Sequence, residues 1–224
     1  MTEGERTGGF LAQLAPAERA DLERRGRRRE WSRGEVICRE ADTSDWVLVL
    51  LAGRVKISSN TVSGTEVVLE VRGPGSLVGE LSAIDRQPRS ATVTAMEKAT
   101  GMVVPYADFE AFLRGHGAVA LLLLRTLAGR LREADRRRIE FGAHDTTGRV
   151  AARLVELAER FGQQTPEGVR IALPLTQDEL AGWIGASREA VSKALGVLRA
   201  HGWIETSRLR VVVHDVEALR DLAR

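Results

Sequence analysis

Apolar and polar residues follow different patterns in the two parts of the chain, and the change falls near residue 105. Between residues 31 and 104, short β-prone runs are separated by Gly, Asn, Asp and Pro. The runs cover residues 36–38, 46–51, 55–58, 67–71, 91–95 and 101–104. Short strands at regular spacing, with turn residues between them, predict an antiparallel sandwich or jelly roll. A short helical stretch over residues 10–29 precedes them.

From residue 106 the pattern is helical. Residues 106–113 predict a short helix, and residues 118–142, which contain no Pro, predict a helix about 40 Å long. An apolar seam repeats along this helix at alternating spacings of four and three, as the a and d positions of a coiled coil do. The seam consists of Ala120, Leu124, Leu127, Leu131, Ala134, Arg138 and Phe141.

We expect this seam to pair with a second copy of the chain. Packing against the chain's own sheet is the alternative, and residues 121–124, which are apolar on all sides, suit both arrangements. The sequence leaves the role of Arg138 in the seam open.

A polar break at residues 144–147 ends the long helix and predicts a hinge, where Asp145 or Thr146 can cap the next helix. Further on, residues 177–196 read QDELAGWIGASREAVSKALG. This stretch predicts two helices that meet closely at Gly185, with Ser187 as the N-cap of the second. Residues 203–213 then predict a hairpin. The combination is typical of a winged helix-turn-helix.

The second helix of this motif carries the side chains that we expect to read DNA. Arg188, Glu189 and Lys193 project from its first two turns. Arg or Lys can donate to guanine, and Glu can accept from cytosine, in the major groove. Because residues 144–224 hold eleven basic and eleven acidic side chains, binding must depend on their placement. The predicted DNA-binding set is Thr176, Gln177, Ser187, Arg188, Glu189, Lys193 and Arg208.

Composition adds several exclusions. The 224 residues carry a formal net charge of +2, and the pI of about 9.1 is compatible with an anionic partner. The one cysteine, Cys38, excludes an intrachain disulfide framework and is expected to be a buried core thiol. The histidines lack metal-ligand spacing and no nucleophile–base group is present, so we predict no metal and no enzyme activity.

No signal peptide and no apolar run of membrane-spanning length is present, which predicts a cytoplasmic protein without a membrane partner. The basic run over residues 24–29 is interpreted as a solvated helix end and turn rather than a nucleic-acid arm.

Two stretches resemble known motifs. Residues 79–93, GELSAIDRQPRSATV, resemble the phosphate-binding cassette of the Crp–Fnr family, and residues 175–195, LTQDELAGWIGASREAVSKAL, resemble its DNA-binding motif. The resemblance covers nearly the whole chain. It implies an α+β fold, with an N-terminal cyclic-nucleotide-binding β-roll (a jelly roll), a long dimerisation helix and a C-terminal winged helix-turn-helix. The corresponding predicted domains are residues 1–115, 116–143 and 144–224.

The resemblance also implies an effector site. Arg89 would pair with a cyclic phosphate, helped by Ser90 and by the backbone amides at Gly79 and Glu80, and the carboxylate of Glu80 would accept from the ribose. The alternative is an ion pair between Glu80 and Arg89. We further expect Arg89 to lie in a solvent-lined loop, where its substitution would leave the fold intact.

Base recognition departs from the pattern of relatives that bind cyclic AMP. These relatives carry a Thr followed by Ser or Asn where this chain has Ala134 and Asp135. Asp135 could accept from the 6-amino group of adenine, or from two donors of guanine. The predicted effector residues are therefore Gly79, Glu80, Leu81, Arg89, Ser90, Ala134 and Asp135.

The predicted function is that of a homodimeric, sequence-specific transcriptional regulator controlled by cyclic AMP or cyclic GMP, with no tightly bound cofactor. A constitutive or architectural DNA-binding protein with a vestigial pocket is the alternative. The expected partners are palindromic double-stranded DNA, a second copy of the chain through residues 118–142, and RNA polymerase as a further candidate.

Overall fold

A computed structural model describes residues 9–61, 64, 66–173, 176–207 and 209–223. In the long helix, the side chains of residues 137, 138 and 140–143 are not described. The predictions for Arg138, Phe141 and Arg208 therefore lie outside the described structure. The chain divides into two compact units. Among the described residues, the first holds residues 9–60 and 68–131, and the second holds residues 132–223 together with Thr61, Gly64, Glu66 and Val67.

The elements of the first unit begin with two short helices and end within a long one. They are α1 (Gly9–Ala12), α2 (Pro16–Arg25), β1 (Arg27–Trp31), β2 (Val36–Cys38), β3 (Trp46–Ala52), β4 (Val55–Asn60), β5 (Glu66–Arg72), β6 (Leu77–Val78), α3 (Glu80–Asp85), β7 (Thr92–Ala95), β8 (Ala99–Pro105), α4 (Tyr106–Gly115) and α5 (Gly117–Ala143). The second unit contains α6 (Thr146–Phe161), β9 (Gly162–Thr165), β10 (Gly168–Ile171), α7 (Gln177–Ile184), α8 (Arg188–Ala200), β11 (Ile204–Ser207), β12 (Arg210–Val213) and α9 (Val216–Leu222).

The first unit is built from two four-stranded sheets, in the orders β1-β8-β3-β6 and β2-β7-β4-β5. Strand β3 contributes side chains to two hydrophobic cores, one on each of its faces. Leu48 and Leu50 belong to the core that contains Val93 of the second sheet, whereas Val47 and Val49 belong to the core with the helices. Because both faces of β3 are buried, its sequence WVLVLLA is continuously apolar rather than alternating. The predicted β-roll is confirmed.

Helices α1, α2, α4 and α5 share the second core. In α5, Val119 and Leu123 are buried there and Leu127 is partly buried. Leu124 and Leu131, by contrast, are 63% and 64% exposed. The start of α5 therefore packs on its own sheet and also presents an apolar face to solvent. Leu127, a residue of the predicted seam, packs against the chain's own core, which agrees with the alternative of packing against its own sheet.

The structure corrects the interpretation of the basic run over residues 24–29. Residues 10–29 were expected to be helical, with a solvated turn at the end, but Arg27, Arg28 and Arg29 lie in β1. This strand pairs with β8, and Arg27–Glu30 are exposed. Pairing with β8 supplies the backbone hydrogen bonds that a local pattern cannot predict. Charged residues on an edge strand also discourage pairing with other chains.

The second unit is a helix-turn-helix flanked by a sheet of order β11-β12-β10-β9. The predicted caps are present: Asp145 accepts from the backbone N of Gly148 at 2.8 Å, and Ser187 accepts from that of Ala190 at 3.2 Å. Gly185 ends α7 at φ +62°, a conformation that suits Gly. Strands β9 and β10 and helix α9 were not predicted.

Among the described residues, no single helix is long and apolar enough to cross a membrane. Helix α4 and the first twenty residues of α5 satisfy the length and hydropathy requirement only as a pair, and the pair is bent by 111°.

Candidate ligand pocket and nucleic-acid interface

Arg89 is the central group of a pocket in the first unit. Its side chain is buried, with the residue only 3% exposed. One Nη2–H donates to the carbonyl oxygen of Trp46 at 2.7 Å, and the guanidinium lies 4.3 Å from the centroid of the Trp46 ring. Among the described residues, Nε and Nη1 have no hydrogen-bond partner. A buried cation with two unsatisfied donors is suited to an anion that enters the pocket.

Gly79 makes room for this guanidinium. A Cβ at position 79 would lie 1.6 Å from Nη1 and 2.6 Å from Cζ of Arg89. The residue also has φ +82°, which residues with a side chain rarely adopt. Gly79 is therefore required both by the backbone turn before α3 and by the position of Arg89.

Glu80 is buried beside the pocket and does not pair with Arg89. It is 1% exposed, and Arg72 donates from Nη1 to its two carboxylate oxygens at 3.1 and 3.2 Å. Arg130 of α5 donates to Oε1 of the same carboxylate. The alternative of a Glu80–Arg89 ion pair is wrong, because two other arginines occupy the carboxylate.

The charge of Glu80 follows from these contacts. Burial by itself raises the pKa of this carboxyl group, but the guanidinium groups of Arg72 and Arg130 outweigh it and hold the pKa below its usual range. The group is therefore an ionised acceptor at neutral pH. An ionised carboxylate accepts but cannot donate, which suits a hydroxyl group as its ligand.

The structure brings the cassette residues together around one pocket. Gly79, Glu80, Leu81, Arg89 and Ser90 all line it, as do Arg72 and Cys38. Ser90 is exposed, so its hydroxyl group is accessible. The expectation that Arg89 lies in a solvent-lined loop is wrong, since its guanidinium is part of the packed interior.

Cys38 is buried, as expected, and burial raises the pKa of its thiol. A thiol with a raised pKa is a poor nucleophile, so Cys38 serves as an apolar wall of the pocket.

The remaining predicted effector residues, Ala134 and Asp135, belong to the second unit. Both lie on α5 and both are exposed. Among the described residues, no group of three or more His, Cys, Asp or Glu side chains is placed to hold a metal ion.

The predicted DNA-reading side chains lie at the start of the two helices of the motif. Thr176 caps α7, forming a capping box with Glu179. Ser187, Arg188, Glu189 and Lys193 are all exposed on or next to α8, and Gln177 is half-buried. Arg188 forms an ion pair with Asp178, with Nε and Oδ1 3.9 Å apart, and this contact is weak and solvent-exposed. Arg188 is thus accessible to a partner.

Glu189 is an exposed carboxylate at the N-terminus of α8. The backbone N–H at its own position and the Ser187 hydroxyl lower the pKa of Glu189, although the side chain is not buried. The unpaired backbone N–H groups of a helix N-terminus carry a partial positive charge, which favours a negative side chain there. On the inner side of the motif, Trp183 is buried, and Cζ of Arg153 of α6 lies 4.8 Å from the centroid of its ring. Trp183 is therefore a core residue.

Sequence reasoning missed Arg72, Arg130 and Trp46. The predicted strand ended at residue 71, which placed Arg72 in a turn, and Arg130 is 50 residues away from Glu80. Trp46 acts through its backbone carbonyl and ring. No local signal predicts the contacts of Trp46 and Arg130, because each joins distant segments of the chain. Arg72 is only eight residues from Glu80, but this contact requires the chain to fold back between β5 and α3.

Comparisons with known proteins agree on both units. A model of the cyclic nucleotide-binding domain matches residues 28–116, and a model of the Crp-like helix-turn-helix domain matches residues 148–222. The chain is 32% identical over 216 residues to the CRP-like cAMP-activated global transcriptional regulator of Mycobacterium tuberculosis, which covers 96% of each protein. It is 30% identical to the cyclic AMP receptor protein of Thermus thermophilus, over 88% of each protein.

Among solved structures, the c-di-GMP responsive global regulator CLP of Xanthomonas campestris superposes with a TM-score of 0.78. The match covers 90% of this chain and 100% of that one, at 22% identity. At this identity the likeness concerns the fold.

Proposed function

The chain belongs to the Crp–Fnr family of DNA-binding transcriptional regulators, and on that premise we propose that its DNA binding is controlled by a cyclic nucleotide held in the pocket around Arg89. The observation that carries the proposal is the pair of unsatisfied, buried N–H groups on Arg89. A buried donor without a partner costs roughly 1–3 kcal/mol, which a bound phosphate would recover.

In this proposal, Arg89 donates Nε–H and Nη1–H to the cyclic phosphate, and the exposed hydroxyl of Ser90 adds a further donor. Glu80, ionised and fixed, accepts from the ribose 2′-hydroxyl. Leu81 is 43% exposed and contributes apolar contact at the rim of the pocket. The pocket thereby recognises the sugar and phosphate parts that all ribonucleoside cyclic monophosphates share.

That Ala134 and Asp135 select the base stays a prediction. Both relatives reported above are named for cyclic AMP, which favours that nucleotide. Asp135 can accept from the adenine 6-amino group, but guanine offers it two donors. We propose cyclic AMP as the effector, with cyclic GMP as the competitor that the experiment must include.

For DNA binding, we propose a homodimer that recognises a palindromic operator. The exposed Leu124 and Leu131 of α5 supply the pairing face, and each α8 enters a major groove. Two recognition helices related by a two-fold axis bind half-sites about one DNA turn, ~34 Å, apart. The three-part domain division and contact with RNA polymerase stay predictions.

Calorimetry with each nucleotide tests the effector, followed by operator binding with and without it. We expect cyclic AMP to bind wild type, to bind an Arg89→Gln variant at least tenfold more weakly, and to raise the affinity for DNA. Circular dichroism of the variant is needed because Arg89 is part of the packed interior. DNA binding that is equally tight without any nucleotide, together with no calorimetric signal at millimolar concentration, would favour a constitutive regulator with a vestigial pocket.

A further inference from the structure

The pocket contains a second buried arginine that the proposed phosphate and sugar contacts do not use directly. Arg72 ends β5 and is 9% exposed. Its Nε–H donates to Glu70 at 2.8 Å, and Nη1 donates to the carbonyl oxygen of Leu77 at 2.5 Å. The same Nη1 contacts the two oxygens of Glu80.

We propose that Arg72 is the positioning residue for sugar recognition: it fixes the Glu80 carboxylate so that the pocket distinguishes ribonucleotides from 2′-deoxyribonucleotides. This inference rests on the proposed function, since it concerns how the same pocket selects its ligand.

The buried carboxylate of Glu80 needs a cation beside it to stay ionised. A carboxylate as deeply buried as Glu80 would take up a proton if it had no cationic partner. A protonated carboxyl group presents one donor and fewer acceptor sites, so it would select a hydroxyl group less strictly. Arg72 pairs with both Glu70 and Glu80, and Arg130 is a second cation in contact with Glu80.

Arg72 lies close to Glu80 along the chain. Every described contact of Arg72 lies within eight residues along the chain, on the segment that carries Glu80 itself. Arg130 reaches Glu80 from the long helix, and its side chain is 26% exposed against 10% for Arg72. Arg72 therefore contacts the carboxylate from the end of β5, and Arg130 contacts it from α5.

The Oε2 atom of Glu80 can accept from the ribose hydroxyl group. Arg130 contacts Oε1, whereas Oε2 has Arg72 as its described side-chain partner. Each carboxylate oxygen has about two acceptor positions, so Oε2 can take a hydroxyl group without displacing Arg72.

The experiment compares cyclic AMP with 2′-deoxy cyclic AMP by calorimetry at neutral pH. Wild type should prefer cyclic AMP by roughly tenfold or more, as expected for one hydrogen bond to a charged group. In Arg72→Gln, the affinity for cyclic AMP should fall until it exceeds the affinity for 2′-deoxy cyclic AMP by about twofold or less. Affinity for the deoxy analogue, which depends on Arg89, should stay close to that of wild type.

Two variants support the interpretation. Arg54→Gln removes an arginine that pairs with Glu97 in the same unit, so it should keep the wild-type preference. Arg72→Lys keeps the charge but lacks the planar fork, and should restore part of the preference. If Arg72→Gln does not fold, the preference of Arg72→Lys decides, and a preference equal to that of wild type would overturn the proposal.

The other outcomes are equally distinct. If Arg72→Gln keeps the full preference, or weakens both nucleotides by the same factor, Arg72 does not position the sugar contact. A wild type that binds both nucleotides equally well would also refute it, while leaving the effector proposal standing. If wild type binds neither nucleotide, the proposed function itself fails.

Discussion

Glu80 and Glu189 stand in the same local context but in different environments. Each lies in the first turn of a helix, and the pKa of each is lowered. Glu80 is buried, and two arginines offset its burial; Glu189 is exposed, and the hydrogen bonds of its helix N-terminus suffice. The pocket thus depends on enclosed charges that need partners, whereas the DNA-reading surface depends on charges that water already solvates.

The largest effect should come from removing the enclosed carboxylate. Glu80→Ala leaves Arg72 and Arg130 without it, and breaking a buried ion pair costs about 3–5 kcal/mol. The matched Glu189→Ala should change the free energy of unfolding by no more than about 0.5 kcal/mol, as most surface substitutions do. Urea titrations of both variants measure the difference. Equal effects would abolish the contrast between the two sites.

The same contrast applies to the leucines of α5. Replacing the exposed Leu124 and Leu131 together by Lys should leave the unit folded but give monomers, because only the pairing face is lost. Joining two DNA-binding modules raises affinity by about 10²–10⁴-fold, so operator affinity should fall by at least about a hundredfold. Sedimentation and gel-shift assays measure both.

A control for that variant is Leu123→Ala, which lies on the buried face of the same helix. It should lower the free energy of unfolding by about 2–5 kcal/mol through a cavity. A double Lys variant that sediments as the wild-type dimer would show that the pairing face lies elsewhere.

Gly79→Ala should weaken nucleotide binding by about ten- to a hundredfold, since the new Cβ displaces the Arg89 guanidinium and a charge-assisted contact is worth about 1.5–3 kcal/mol. Gly34→Ala is a suitable control: it also has positive φ, but its Cβ would meet nothing within 4 Å. Calorimetry with cyclic AMP compares the two variants. Similar losses in both would mean that backbone strain, rather than displacement of Arg89, is responsible.

Arg188→Ala should cost about 1–3 kcal/mol of operator affinity and relax the preference at a single base pair. Because the side chain is exposed, the stability of the fold should be unchanged. Arg170, an exposed residue of β10, gives the control Arg170→Ala, for which we expect no change in base preference. Selection from randomised operators measures the preference, and an unaltered profile for Arg188→Ala would remove this residue from the reading surface.

The sequence predicts exposed and local features best. The caps of α6 and α8, the turn at Gly185 and the helix-turn-helix all follow from residues within a few positions of one another. The β-roll follows from its spaced strands. These features depend on backbone preferences and periodicity, which a short stretch of sequence encodes.

Contacts between distant segments could not be predicted in the same way. Arg89 was predicted to bind a ligand, yet its burial against Trp46 depends on a segment 43 residues away and could not be predicted. The strand conformation of Arg27–Trp31 depends on pairing with β8. The partners of Glu80 likewise require the sheet and α5 to be in place.

Gly79 has a consequence for how this pocket can change by mutation. Every amino-acid replacement that one base change can produce from a glycine codon introduces a Cβ, and a Cβ at this position collides with Arg89. No neutral intermediate substitution is therefore open to the codon while Arg89 is retained. Loss of Arg89 would remove this collision but not the strain of the positive φ at position 79, so the backbone would still constrain the residue to glycine in a protein that no longer binds an effector.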